Sequence, residues 1–321
     1  MNLKFKKKSY CFNLSTKLEN SKTTFLTKSG WIIKLKNNEK KIGFGEVSPL
    51  LKEDLKKCEE QLNMIPEYVG VLNLSEQINI FHPCIQSAIN SALAEINGKI
   101  IFQENYFFDE IDKTAILLNP NNVISDLNEI KKCQSNMGKT ITIKWKVALK
   151  NNNEEEAILE EILSQIDNNI RLRIDANGSW GREIAERWAD ILKDNKNIDW
   201  LEQPLSIDDI DGLKELNKKI PIALDESLLK FPTLIDDWKG WQIRRPSQEK
   251  NPDKLLKDLE NKQSLISIST SFETGIGRRW LYHLASLQLQ GPTPKVPGLA
   301  MNKFPNSFLF LNEPQKIWDQ L

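Results

Sequence analysis

Seven short β-like runs follow one another from about Thr114, and helical stretches separate most of them. The runs are "TAILLN", "TITIKWKV", "IRLRIDAN", "IDWLEQ", "IPIALDES", "GWQIRRP" and "SLISISTS". The helical stretches include "NEEEAILEEILSQI", "GREIAERWADILK" and "NPDKLLKDLENK". Such alternation predicts a parallel α/β architecture with right-handed crossovers, either open or closed into a barrel. No glycine-rich phosphate loop follows the first run, which argues against a dinucleotide-binding open sheet. The placement of charge favours the barrel.

Three successive runs finish on an acid: Asp175 in "RLRIDAN", Glu202 in "DWLEQP" and Asp225 in "PIALDES". In a β/α barrel those C-terminal ends converge on the rim where active sites are built. Three carboxylates meeting there without a cation repel one another. An oxygen-only set lacking histidine and cysteine suits Mg²⁺. Any one of these acids alone is as readily a helix N-cap; three in succession make a metal site the better account.

"TITIKWKVAL" (Thr140 to Leu149) poses the complementary question. On a two-residue period Ile141, Ile143, Trp145 and Val147 share one face, while Thr142, Lys144 and Lys146 share the other. Two lysines alone read as chains snorkelling from a strand end. With three acids downstream they read as part of the same site. Only His82 and His283 exist, so acid–base chemistry must lean on carboxylates and lysines. Arg173 and Asn177 share the Asp175 face as candidate substrate contacts, with a structural salt bridge the equal alternative for Arg173. Ser267, Ser269 and Ser271 alternate onto an inward face that suits a polar substrate end or forms a polar lining.

The first hundred residues read differently. "KTTFLTKSGWIIKLKNN" and "KKIGFGEVSPL" suggest strands, and "PCIQSAINSALAEINGK" a helix that Gly98 stops, an α+β pattern. In 321 residues, lysine plus arginine balances aspartate plus glutamate at 44 each, which gives no support to a nucleic-acid partner. No apolar run approaches the ~20 residues that span a bilayer, and "MNLKFKKKSY" has no apolar segment behind it. Cys11, Cys58, Cys84 and Cys133 show no metal or redox spacing. These features predict a cytoplasmic, reduced protein with a small-molecule partner, and they leave its oligomeric state open.

"KWK", "DAN", "LEQP" and "LDES", in this order and spacing, resemble the enolase superfamily, muconate-lactonizing-enzyme branch, over nearly the whole chain. "GFGEVSPL", "SALAEI" and "SISTSFETGIG" look most like the o-succinylbenzoate synthase family, dehydratases of menaquinone and phylloquinone biosynthesis. The resemblance implies a modified (β/α)₇β TIM-like barrel (101–321) under an N-terminal α+β capping domain (1–100), with the C-terminal tail available to pack on the cap. It implies Mg²⁺, with Mn²⁺ as a substitute, on Asp175, Glu202 and Asp225, and a small carboxylate substrate. Lys146 would be the base that removes a proton α to the carboxylate, giving a metal-stabilised enediolate. Lys144 would depress the pKa of Lys146 by charge repulsion. Lys28, Gly43, Phe44 and Gly45 are expected in or beside the loops that close the site.

One position departs from the pattern. The family's sixth strand usually ends in a lysine, and "WQIRRP" places Arg245 there. Arginine stays protonated, so it is a poor base but a serviceable fixed cation. Racemisation needs titratable groups on two faces; a syn dehydration needs one. The expected activity is therefore dehydration to 2-succinylbenzoate. The alternatives are N-acylamino-acid racemisation or dipeptide epimerisation on the same scaffold, or a barrel that binds without chemistry.

Overall fold

The computed structural model describes residues 2–19, 24–70, 74, 76–99, 110, 112–250 and 252–321. The expected domain boundary at 100/101 falls outside these residues. An antiparallel sheet carries β1 (Asn2–Glu19), β2 (Thr24–Asn37), β3 (Ile42–Val47) and β4 (Tyr68–Gly70) in the order β3-β2-β1-β4. Leu3, Phe5, Ile33 and Leu35 alternate onto one face and pack with α1 (Lys52–Met64) and α2 (Pro83–Ile96) through Cys58, Leu62, Ile85 and Ile89. The opposite face presents Tyr10, Phe12 and Phe44 to Leu309, Ile317 and Trp318 of the C-terminal tail.

Gly43 and Gly45 lie within β3 rather than in a closing loop. A Cβ on either would sit 2.0 Å from the Ala92 or Ala88 carbonyl oxygen of α2, so the glycines let helix and strand approach. Phe44 between them tilts against Trp318 at 6.2 Å. These three residues serve the packing of the antiparallel sheet, in the strand that runs into the loop after Val47.

The second sheet is parallel. It runs β5 (Ile116–Leu117), β6 (Ile141–Lys146), β7 (Ile170–Asp175), β8 (Ile198–Glu202), β9 (Ile222–Leu224), β10 (Trp241–Arg244) and β11 (Ile266–Ile268), in sequence order across the sheet. Helices α3 (Val123–Met137), α4 (Asn152–Gln165), α5 (Arg182–Leu192), α6 (Ile210–Leu216), α7 (Glu226–Lys230), α8 (Leu234–Asp237) and α9 (Pro252–Glu260) fall between successive strands, and α10 (Gly275–Leu289) follows the last. The segment 296–298 then joins the two edges. The Gly298 amide donates to the Ile268 carbonyl at 2.8 Å, the Thr270 amide to the Gly298 carbonyl at 3.1 Å, and the Ala115 amide to the Pro297 carbonyl at 2.9 Å. The curled sheet is thereby closed into a TIM-like (β/α)₇β barrel, with the antiparallel α+β unit beside it.

Alternation along the strands divides the barrel into two packed zones. Ile141, Ile143, Trp145, Leu172, Ile174 and Leu201 face outward against the helices. Inside, Trp200, Ala223, Trp241 and Ile243 form a separate apolar layer. In the outer zone Trp188 of α5 is fully buried between Trp145 and Trp180, at centroid distances of 5.9 and 4.6 Å. Its indole N–H donates to Asn152 Oδ1. Trp188→Ala is expected to cost about 3–5 kcal/mol of unfolding free energy through lost burial and the cavity left behind. Urea denaturation followed by circular dichroism checks it.

Glu46, at the end of β3, pins the antiparallel sheet to the barrel. Its buried carboxylate accepts from the Tyr10 hydroxyl at 2.6 Å, from the Thr274 hydroxyl at 2.6 Å and from the Gly277 amide at 2.9 Å. The last two donors belong to the first turn of α10, where a negative charge is favoured by the exposed amides. Among the described residues no helix is long and apolar enough to cross a membrane.

Candidate active site

Strand register brings the polar inward residues together. Lys144 pairs with Arg173, Lys146 with Asp175, and Asp175 in turn with Glu202. Asp225 follows β9, and Arg245 follows β10. Asp175, Glu202 and Asp225 are buried at neighbouring strand ends, so the three acids meet on one rim together with both lysines of "KWK" and with Arg245.

Lys144 bridges two of the acids, 2.9 Å from Asp175 Oδ2 and 2.6 Å from Glu202 Oε1. Burial alone would lower its pKa; Asp175, Glu202 and Asp225 override that and hold the ammonium well above the usual lysine range. Lys144 is a fixed cation. Asp175 shows the converse: burial opposes its charge, but Lys144 and Lys146 hold it well below the usual carboxylate range. Burial, with Asp175 and Asp225 adding to it against Lys144, pushes Glu202 up to about 7.

Lys146 ends β6, one inward position beyond Lys144, with its side chain 17% exposed against 14% for Lys144. Its ammonium is 3.1 Å from Asp175 Oδ2 and donates to Asn177 Oδ1 at 3.0 Å. Asn177 adopts φ +48°, donates its backbone N–H to Asp175 Oδ1 and its side-chain N–H to Glu226 Oε1. It reaches Lys146, Asp175 and Glu226 at once and acts by orienting them. Gln203, with φ +38°, orients the next loop: its Oε1 accepts the amides of Asp225 and Ser227. Two non-glycine residues in the left-handed region at adjacent strand ends mark local strain held by the surrounding hydrogen bonds.

Asp225 has a different cation partner from the other two acids. Arg245 Nε donates to its Oδ1 at 2.8 Å and Nη2 to its Oδ2 at 2.5 Å, a bidentate pair. The third donor, Nη1, goes to the Thr270 carbonyl. Burial opposes the Arg245 charge, and Asp225 more than compensates, so the guanidinium is held firmly protonated. Among the described residues no group of three histidine, cysteine or acidic side chains is arranged to hold an ion as it stands. The donor set nonetheless fits a hard cation. Asp175 and Glu202 already share one positive charge, the Lys144 ammonium, and Asp225 is paired with a second, Arg245.

Arg173 does not reach the mouth. A register shift between Leu172 and Arg173 leaves Asp199 as the extra residue of β8, and that bulge re-aims the acid. Arg173 pairs with Asp199 at 3.1 Å, donates to the Val296 carbonyl and lies 4.0 Å from the Trp200 ring centroid. Lys295 completes the group at 2.6 Å from Asp199. Arg173 is thereby engaged in an ion pair inside the barrel. Ser269 donates weakly to the Gly298 carbonyl at 3.4 Å, at the closing seam. The Ser271 hydroxyl is buried with no hydrogen-bond partner among the described residues. Sequence reading also passed over Glu226 and Gln203, although both sit inside the quoted "LDES" and "LEQP".

Lys28 of β2 lies on the antiparallel-sheet side, beside a cavity of about 770 Å³ that Pro49 and Phe272 also line. It donates to the Ser48 and Pro49 carbonyls at 3.1 and 2.7 Å. Burial pushes its ammonium down to about 8, with Glu273 opposing. The unfolded chain keeps this proton up to the ordinary 10.5, so between these values the unfolded state binds more protons and stability rises with pH. The gain amounts to ~3 kcal/mol across the window. The stability difference between wild type and Lys28→Met is expected to shift in favour of wild type by that amount from pH 8 to 10.5. Urea denaturation of both proteins across that range measures it.

A closed parallel barrel with lysines and acids gathered at its strand ends has the form of a barrel enzyme. The family described as Enolase C-terminal domain-like matches residues 130–235 of the chain. The o-succinylbenzoate synthase of Thermosynechococcus vestitus is 26% identical over an alignment of 329 residues covering 96% of each chain. The N-succinyl-L-Arg/Lys racemase of Bacillus cereus is 28% identical over 155 residues, 46% of this chain and 41% of its own. Among solved structures, o-succinylbenzoate synthase from Thermosynechococcus elongatus, complexed with Mg in the active site, superposes with a TM-score of 0.79 at 23% identity, covering 99% of this chain and 100% of that one.

Proposed function

We propose that this enzyme is a Mg²⁺-dependent dehydratase that converts 2-succinyl-6-hydroxy-2,4-cyclohexadiene-1-carboxylate to 2-succinylbenzoate and water, on the route to menaquinone or phylloquinone in the cytoplasm. The observation that carries the reading is the asymmetry of the mouth. Lys146 stands on one side, 17% exposed, and the cation across from it is Arg245, fixed by Asp225.

Lys146 would take the α-proton and, as its conjugate acid, return it to the departing hydroxide on the same face. Asn177 sets the direction of that ammonium. Lys144 stays charged and holds Asp175 and Glu202 in place. Asp175, Glu202 and Asp225 would hold Mg²⁺, which when bound supplies Lewis-acid stabilisation of the charge that builds on the substrate carboxylate. Arg245 supports negative charge without exchanging a proton, which disfavours racemisation. Ser269 and Ser271 edge the last strand, where a succinyl arm would lie. Residues 1–100 form the cap and 101–321 the barrel in this reading, and the contact of Trp318 with Phe44 ties the C-terminal tail to the cap.

Loss of the diene absorbance on mixing substrate with the purified protein tests the proposal. Turnover with Mg²⁺ and none after chelation is expected; no turnover at saturating Mg²⁺ refutes it.

A further inference from the structure

We infer that Arg245 is a built-in competitor for metal loading: by clamping both oxygens of Asp225 it keeps the third metal ligand occupied until an anionic ligand draws the guanidinium away. The inference rests on the proposed function only for the identity of the metal ligands. Its ground is the contrast between two cations in the same site.

Lys144 touches Asp175 and Glu202 through one oxygen each. An ammonium on a flexible stem is a point charge that yields its place by a rotamer change. Arg245 presents a planar fork whose Nε and Nη2 meet Asp225 Oδ1 and Oδ2 together, while Nη1 is anchored on the Thr270 carbonyl. Such bidentate pairs are among the strongest ionic hydrogen bonds and hold their geometry. Asp225 has little freedom to turn away, because Gln203 grips its backbone amide and that of Ser227. Both partners are nearly sequestered, with side chains 14% and 2% exposed.

Mg²⁺ demands tight octahedral oxygen ligation, and an oxygen engaged in-plane by a guanidinium offers it less. The lysine usual at this position in the superfamily cannot engage both oxygens in that fork. Coupling of this kind is reciprocal: whatever anion draws Arg245 off Asp225 strengthens metal binding by the factor that metal strengthens the anion.

The test is Mn²⁺ binding by electron paramagnetic resonance on the metal-stripped full-length protein, with no turnover involved. Arg245→Lys keeps the charge and removes the fork, and it is expected to bind Mn²⁺ about tenfold more tightly than wild type, the scale on which residues supporting a metal ligand act. Added 2-succinylbenzoate is expected to tighten Mn²⁺ binding more in wild type than in Arg245→Lys. Equal affinities in wild type and Arg245→Lys overturn the clamp and leave the proposed metal site standing. Tighter binding only in Arg245→Met also overturns it, since charge alone would then be at work. No Mn²⁺ binding by either wild type or Arg245→Lys overturns both the clamp and the metal site.

Discussion

Lys146→Ala is expected to lower turnover of the cyclohexadiene substrate by about 10³–10⁴-fold, the upper range for a general base. No neighbour is placed to replace it. Lys144 is held protonated between Asp175 and Glu202, and Arg245 is committed to Asp225. Lys146 also makes few contacts whose loss would disturb folding, since its partners Asp175 and Asn177 keep their other hydrogen bonds. The effect should therefore fall on kcat, with KM little changed, and the circular dichroism spectrum should match wild type. Steady-state kinetics with the two proteins side by side decides it.

Asp175→Asn should cost about 10³-fold in turnover, by a different route. Among the described residues Asp175 is the one acid in contact with both lysines, and its Oδ1 accepts the Asn177 amide that sets the left-handed turn. Removing its charge takes away a proposed metal ligand, and metal stabilisation of developing charge is worth several kcal/mol. It also leaves Lys146 without its carboxylate partner. Here both kcat and Mn²⁺ affinity should fall, whereas Lys146→Ala should leave metal affinity near wild type. Kinetics paired with Mn²⁺ titration separates the two variants.

Much of this site was legible from the chain because period-two alternation holds through β6 and β7. Ile141, Ile143 and Trp145 are buried among helices while Lys144 and Lys146 enter the barrel, as the pattern "ITIKWK" requires. The acids closing β7 and β8, and the one after β9, follow from the same alternation. What alternation cannot show is a break in itself. The extra residue in β8 turns Asp199 inward and gives Arg173 a partner, so Arg173 looked available for substrate. The closing segment at 296–298 was hidden for a related reason: Pro294 and Pro297 lack the amide donors expected of a strand. In β1 the lysines around Phe5 obscure an alternation that buries Leu3 and Phe5. The close approach of α2 that calls for glycine at Gly43 and Gly45 within a strand is a tertiary fact.

The spacing of "LDES" identifies the acid yet says nothing of Gln203, which steadies Asp225 from the preceding strand end. Nor does it reveal that Arg245 would meet both oxygens of Asp225. Nor does it reveal that burial, which would lower the pKa of Lys144, is overridden there by Asp175, Glu202 and Asp225. Charge balance in a closed site depends on which partners converge, and only the fold supplies that.

The most direct measurement is proton NMR of wild-type protein in D₂O with Mg²⁺, given the cyclohexadiene substrate in one sample and an N-succinyl amino acid in another. The account predicts aromatic signals of 2-succinylbenzoate in the first sample and an unexchanged α-proton in the second. An α-proton replaced by deuterium in the second sample, with no aromatic product in the first, would contradict it.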